Sequence, residues 1–275
     1  GKVLYPSDIT KKILNNNSTL SETHIKIIQA QWEQIKNTIQ TECYSKNKNH
    51  FIPIVDTSGS MYPEAINVSI GLGILLSEIT NEHFRNKVLT FSSESKWFDL
   101  NPENNIYQKI KSLKTAEWGM TTDLYKAMNN IGNIVLEEKL EQTEIPQLMI
   151  ISDMEFDESS NSSNEWNTIY ENIKQLFNNI GMQIRDKPLD PPTIVFWNVR
   201  KSKGYIEDSQ RDGVILLSGY SPSLMKYVLS GDLEKINEKN EKVKLNSIDI
   251  LNKILNDERY NIIKDKIKLF ENNLF

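Results

Sequence analysis

Short apolar runs that end abruptly in polar turns constrain this chain more than any other feature. Phe51-Ile52-Pro53-Ile54-Val55 is too brief for a core helix and stops at Asp56-Thr57-Ser58-Gly59-Ser60. A run of this kind suits a strand buried on both faces, with Pro53 near its start. Residues 87–91, 147–152, 192–197 and 214–217 have the same form, and 96–100 reads as a short edge strand. Between them lie stretches of helical period. Residues 23–40 place Ile27, Ile28, Trp32, Ile35 and Ile39 on one face, with Ser21 or Thr23 as the cap. Residues 64–79 carry too many apolar side chains for a surface helix, so this helix is expected to be buried. Gly71 and Gly73 are expected to let it lie close to the sheet.

Further helices are predicted at 102–113, 124–140, 165–180 and 221–229, the last opened by Ser221-Pro222. Strands alternating with helices predict a doubly wound, Rossmann-like α/β domain, its mostly parallel sheet covered by helices on both faces. That core is expected at 49–231. A helical and linker segment at 1–48 precedes it, and a helical extension at 232–275 follows, with helices at 247–255 and 258–270.

Composition narrows the function classes. Apolar residues make up 38% and charged residues 25%, as in a soluble globular protein. No apolar run reaches the length of a membrane span, and residues 1–6 lack the apolar segment of a signal peptide. A start at Gly1 suggests a piece of a longer chain. Cys43 is the single cysteine, so an intrachain disulfide is excluded and a reducing, cytoplasmic setting is expected. Cys43 reads either as a reactive thiol or as a plain small side chain near a helix end. With 32 basic against 37 acidic residues, a broad phosphate-binding surface is not expected, although a local basic patch is compatible with that balance.

In open α/β sheets, ligands bind beyond the carboxyl ends of the strands, where strand order reverses. Three polar loops are candidates for such a point. The first offers Asp56, Ser58 and Ser60, with Gly59 expected to permit a tight turn. The second offers Thr122 at the mouth of a helix, and the third Asp153 at the end of a strand. Two carboxylates and three hydroxyls are hard oxygen donors, suited to Mg²⁺ or Mn²⁺. If Asp153 acts through water, a coordination position stays open, and it would attract a carboxylate such as an Asp or Glu of a partner protein.

This arrangement resembles the metal-ion-dependent adhesion site of von Willebrand factor A domains. Asp56, Ser58 and Ser60 match the first loop of that site, Thr122 its threonine and Asp153 its last aspartate. Met154 stands where many relatives have Gly. Trp118-Gly-Met-Thr-Thr-Asp123, Ile151-Ser-Asp-Met-Glu-Phe-Asp157, Phe196-Trp-Asn198 and Leu216-Leu-Ser-Gly-Tyr-Ser221 resemble a family that pairs a C-terminal A domain with an upstream helical module. That layout is similar to the Ro (TROVE) ribonucleoproteins. Leu4-Tyr5-Pro6 through Gln31-Trp32 is similar to the segment joining the two modules. The resemblance implies RNA association through an N-terminal module outside these residues.

The function expected is therefore a non-enzymatic, metal-dependent protein-interaction domain within a larger assembly. No phosphate-binding glycine loop, nucleophile elbow or His beside the serines is present to support catalysis. A competing reading is a metal-assisted phosphoester hydrolase using Asp56 and Asp153. Such sites need a denser carboxylate cluster, and a phosphatase with Asp56 as nucleophile would usually carry a second Asp where Ser58 stands. A third reading is RNA binding by the domain itself, which would weaken steeply with salt.

Several other residues carry two readings each. Glu155, Asp157 and Glu158 either deepen the field at the metal or form a solvated loop. Trp118 is a lip over the site or a packing residue, and Asn198 ends a strand on the ligand side. His24, His50 and His83 lack metal or triad spacing. Lys46, Lys48 and His50 read as a solvated linker.

Overall fold

A computed structural model of the chain describes residues 4–16, 20–41, 50–90, 95–116, 123–153, 163–200, 213–220, 225, 228–229, 234–236 and 242–244. The main sheet is six-stranded. Its strands are β1 (Phe51–Val55), β2 (Lys87–Thr90), β3 (Trp97–Asp99), β4 (Gln147–Ser152), β5 (Ile194–Asn198) and β6 (Val214–Ser218). They lie in the order β3-β2-β1-β4-β5-β6. All neighbours run parallel except β2 and β3, which pair antiparallel at the edge. The expected doubly wound, mostly parallel α/β fold is the observed one.

The strand sequence explains the centre of this sheet. Every residue of β1 is buried, and all of β4 except Gln147. Continuous apolar runs of this kind fit strands covered on both faces. β1 pairs with β4 along its whole length but with β2 only at Ile54 and Val55. Pro53, which has no N–H to donate, thus stands before the ladder to β2 begins.

On one face lie α1 (Pro6–Leu14), α2 (Glu22–Ile39), α3 (Ala65–Ile79) and α4 (Ile106–Thr115). On the other lie α5 (Leu124–Glu138) and α6 (Ser163–Arg185). Ser21 caps α2, accepting a hydrogen bond from the His24 N–H. Trp32, fully buried, joins α2 to the core of α3. Removing roughly 150–250 Å² of such a side chain from water stabilises by about 4–6 kcal/mol as an upper bound.

α1 was not foreseen. It is brief, with Pro6 at its first position and Ile9 and Ile13 as its buried apolar residues. It packs on α3, and Gly71 allows this: a Cβ there would lie 2.7 Å from Thr10 Oγ1 and 2.8 Å from the Pro6 carbonyl oxygen. Gly71 therefore serves the α1 contact and not the sheet. Gly73 does face the sheet, since its Cβ would come within 2.2 Å of Val55 Cγ2. α1 and α2 thus share the core that α3 and α4 form on β1.

α4 starts at Ile106, behind a reciprocal Asn105–Gln108 cap, and not at 102. α6 runs past Gly181 and stops where Asp186 turns left-handed, with φ 55°. A hairpin of β7 (Glu234–Ile236) and β8 (Lys242–Lys244) stands within the charged stretch after Gly231. Met225, Val228 and Leu229 are helical and buried. The linker at 44–50 is described only at His50, and the helices expected at 247–255 and 258–270 lie outside the described residues, as does Cys43. No described helix is long and apolar enough to cross a membrane.

The α3–β1 contact is tested by Gly73→Ala. The added methyl must push Val55 aside, and overpacking of about 1–3 kcal/mol outweighs the roughly 1 kcal/mol gained in helix propensity. A lowered urea midpoint with unchanged slope is expected. Gly132→Ala is the control, because its Cβ meets the mobile end of Ile180 first. Equal midpoints for the two variants would contradict this reading of Gly73.

Candidate metal centre

Between β1 and β4 the chain switches direction across the sheet, from β2 and β3 on one side to β5 and β6 on the other. A crevice at the carboxyl ends of the strands is expected at such a point. Asp56 leaves β1 there, and its N–H still donates to the Ile151 carbonyl at 3.1 Å. Asp153 leaves β4 beside it. Both are buried, at 4% and 3% exposure.

Asp56 is held by two donors. Its Oδ1 accepts the Ser58 N–H at 2.8 Å, a local turn typical of Asp. Its Oδ2 accepts the Ser152 hydroxyl at 2.6 Å. Residues Gly59–Met61 then form one 3-10 turn, with the Met61 N–H donating to the Ser58 carbonyl. This turn brings Ser58 Oγ and Ser60 Oγ to 3.0 Å from each other. Gly59 contributes less than expected: it does not adopt a left-handed backbone, and an added Cβ would meet nothing within 4 Å. The turn does not require glycine there.

Asp153 has a partner that sequence reasoning missed. Arg200 Nη1 lies 3.2 Å from Asp153 Oδ2. The Val199 N–H donates to the Ser152 carbonyl, carrying the β4–β5 ladder past the strand end. Asn198, buried at the end of β5, accepts the Arg200 N–H on Oδ1 at 3.0 Å. Asn198 thereby shapes the turn that delivers Arg200. The available signal was positional: Arg200 follows β5 by two residues, on the same sheet end as Asp56 and Asp153. Ser152 was missed as well, although it stands in the Ile151-Ser-Asp run.

The residues expected to hold a metal divide accordingly. Asp56, Ser58, Ser60 and Asp153 stand on neighbouring loops at one end of the sheet. Thr122 lies outside the described residues, just before Asp123, which caps α5 by accepting the Lys126 N–H. Trp118, Glu155, Asp157 and Glu158 also lie outside them. Tyr62, exposed at 48%, follows the serine loop.

The residues present fit a small hard cation. Oxygen ligands at about 2.0–2.1 Å in octahedral geometry have neighbouring vertices about 2.9 Å apart. The Ser58–Ser60 hydroxyl separation of 3.0 Å matches such an edge. Thr57 Oγ1 is buried and makes no hydrogen bond, so the loop also holds an unused oxygen. Two carboxylates leave solvent here with one arginine on the described side of the balance, and burying unpaired charge costs several kcal/mol per ion.

Comparison with known proteins places the chain in a family. Residues 50–267 match the family described as "Domain of unknown function (DUF7788)". The chain belongs to the DUF7788 family. This DUF7788 domain is 29% identical over 210 residues to the uncharacterized protein L728 of Acanthamoeba polyphaga mimivirus. The match takes in 75% of the chain but 34% of the viral protein, so the chain spans about a third of that relative. Among solved structures, the Ro (RSR) protein of Deinococcus radiodurans is similar, with a TM-score of 0.51. At 12% identity, over 83% of this chain and 45% of the Ro protein, the likeness is one of fold.

Proposed function

We propose that this DUF7788 chain is a non-enzymatic, metal-dependent protein-interaction domain of von Willebrand A type, working within a larger Ro-like assembly. Asp56, Ser58, Ser60, Thr122 and Asp153 would hold Mg²⁺ or Mn²⁺. The ion would supply Lewis acidity toward a partner's Asp or Glu carboxylate. RNA association, where it occurs, would belong to a helical module outside this chain.

The observation that carries the reading is the paired Ser58 and Ser60 hydroxyls beside the buried Asp56, at the switch point of the sheet. Hydroxyls supply oxygen without charge, so the ion would keep much of its own charge for a ligand. The fold likeness to the Ro protein supports the assembly context. Asp56 itself is restrained at both oxygens by Ser58 and Ser152, which suits a fixed ligand better than a nucleophile.

Water-proton relaxation with Mn²⁺ tests the open coordination position. Mn²⁺ added to the protein is expected to enhance relaxation, and millimolar acetyl-Gly-Asp-Gly-amide to lower that enhancement by displacing water. Acetyl-Gly-Asn-Gly-amide should leave it unchanged. Equal responses to the two peptides would contradict the carboxylate-binding role. Phosphate release from p-nitrophenyl phosphate that Asp56→Asn abolishes would contradict the non-enzymatic one.

A further inference from the structure

Asp153 and Arg200 differ in one respect that bears on how the metal centre is loaded. The Asp153 side chain is 1% exposed, whereas that of Arg200 is 38% exposed. The carboxylate is enclosed, whereas the guanidinium reaches solvent. The backbone of Arg200 stays anchored either way, through its N–H on buried Asn198 Oδ1. The ion pair is thus enclosed on its acidic side and open to solvent on its basic side.

Resting on the metal reading above, we propose that Arg200 is the displaceable counter-cation of this centre. It neutralises Asp153 when no ion is held and withdraws toward solvent when one is. Two cations compete for one buried carboxylate, so the affinity of the site is set against the arginine. The Asp153–Arg200 contact also sets a positive charge against the carboxylates of the crevice when no ion is held. Once withdrawn, the guanidinium stands at the rim of the site, where its planar fork suits a carboxylate. Arg200 therefore regulates occupancy, and the ligand favoured at the loaded site is anionic.

Isothermal titration with Mn²⁺ and melting in EDTA test this on the whole chain, comparing wild type, Arg200→Gln and Arg200→Lys. Arg200→Gln is expected to bind Mn²⁺ about tenfold more tightly, the scale set by a charge-assisted hydrogen bond. Arg200→Lys, which keeps the charge, should stay within about threefold of wild type. In EDTA, Arg200→Gln should melt below wild type, and Mn²⁺ should close or reverse that gap. Equal or weaker Mn²⁺ binding by Arg200→Gln, with wild-type binding intact, overturns the counter-cation role alone. Absence of Mn²⁺ binding in wild type and Arg200→Gln alike overturns the metal reading and this inference with it.

Discussion

Replacing Glu78 with alanine is expected to lower stability by about 3–5 kcal/mol, the usual result of stranding one partner of a buried ion pair. Glu78 lies in the last turn of α3, with its side chain 7% exposed. Its Oε1 accepts from Lys109 Nζ of α4 at 2.6 Å, and its Oε2 accepts from Trp32 Nε1 of α2 at 2.8 Å. Lys36 of α2 stands 3.5 Å away. One carboxylate therefore ties three helices on the same face of the sheet. Without it the Lys109 ammonium, whose side chain is 8% exposed, keeps its burial and loses its counter-charge. For a chain of this size the loss corresponds to a fall in Tm of about 6–20 °C.

Glu78→Gln should lose less, since an amide oxygen still accepts from Trp32. Joint replacement by Glu78→Leu and Lys109→Met should recover part of the loss, because apolar pairs replace buried ion pairs at little net penalty while Trp32 Nε1 still loses its acceptor. A change below about 1 kcal/mol in Glu78→Ala would contradict the account. Alkaline unfolding supplies a second check. Burial works against the charge on Lys36, but its hydrogen bond to Glu33 and the charges of Glu78 and Glu33 raise its pKa above the ordinary lysine value. A raised folded-state pKa stabilises fully below the unfolded value of about 10.4, and the gain is lost as pH climbs through the folded value. The difference between wild type and Glu78→Ala is therefore expected to narrow above about pH 10.4.

At the other end of the sheet, Asp56→Asn is expected to weaken Mn²⁺ binding by more than about 100-fold, the upper end of what losing an outer-shell partner does. Asp56 brings full charge on a side chain oriented by Ser58 and Ser152, and the amide keeps the shape but not the charge. Ser152→Ala removes a donor 2.6 Å from Asp56 Oδ2 without removing a ligand. Its expected effect is about 10–100-fold. Titration calorimetry or the electron paramagnetic resonance signal of free Mn²⁺ measures both. The order Asp56→Asn worse than Ser152→Ala worse than wild type is the prediction. Unchanged binding in Asp56→Asn would place the ion elsewhere.

Much of the fold was legible because burial on both faces writes itself into consecutive residues. β1 and β4 occupy the predicted positions 51–55 and 147–152, where unbroken apolar runs meet a polar stop. α1 was missed because Ile9 and Ile13 make too weak a pattern in a helix stabilised by its contact with Gly71. The β7–β8 hairpin was missed because backbone pairing, not apolar periodicity, defines it. At the candidate centre, the closeness of Asp56, Ser58 and Ser60 was legible, since spacing along one turn fixes their neighbourhood. Arg200 was not, because its meeting with Asp153 depends on β4 and β5 being neighbours and on Asn198 turning the chain after the strand. Gly59 shows the opposite error, a residue given a conformational task that its backbone does not perform.

The central claim, a metal centre anchored on Asp56, is tested most directly by thermal melting of wild type and Asp56→Ala in EDTA and in millimolar Mg²⁺ or Mn²⁺. An ion present at 100 times its dissociation constant stabilises the fold by about 2.7 kcal/mol, a rise in Tm of about 5–11 °C here. The predicted result is such a rise in wild type and none in Asp56→Ala. No rise in wild type up to several millimolar metal, or an equal rise in Asp56→Ala, would contradict it.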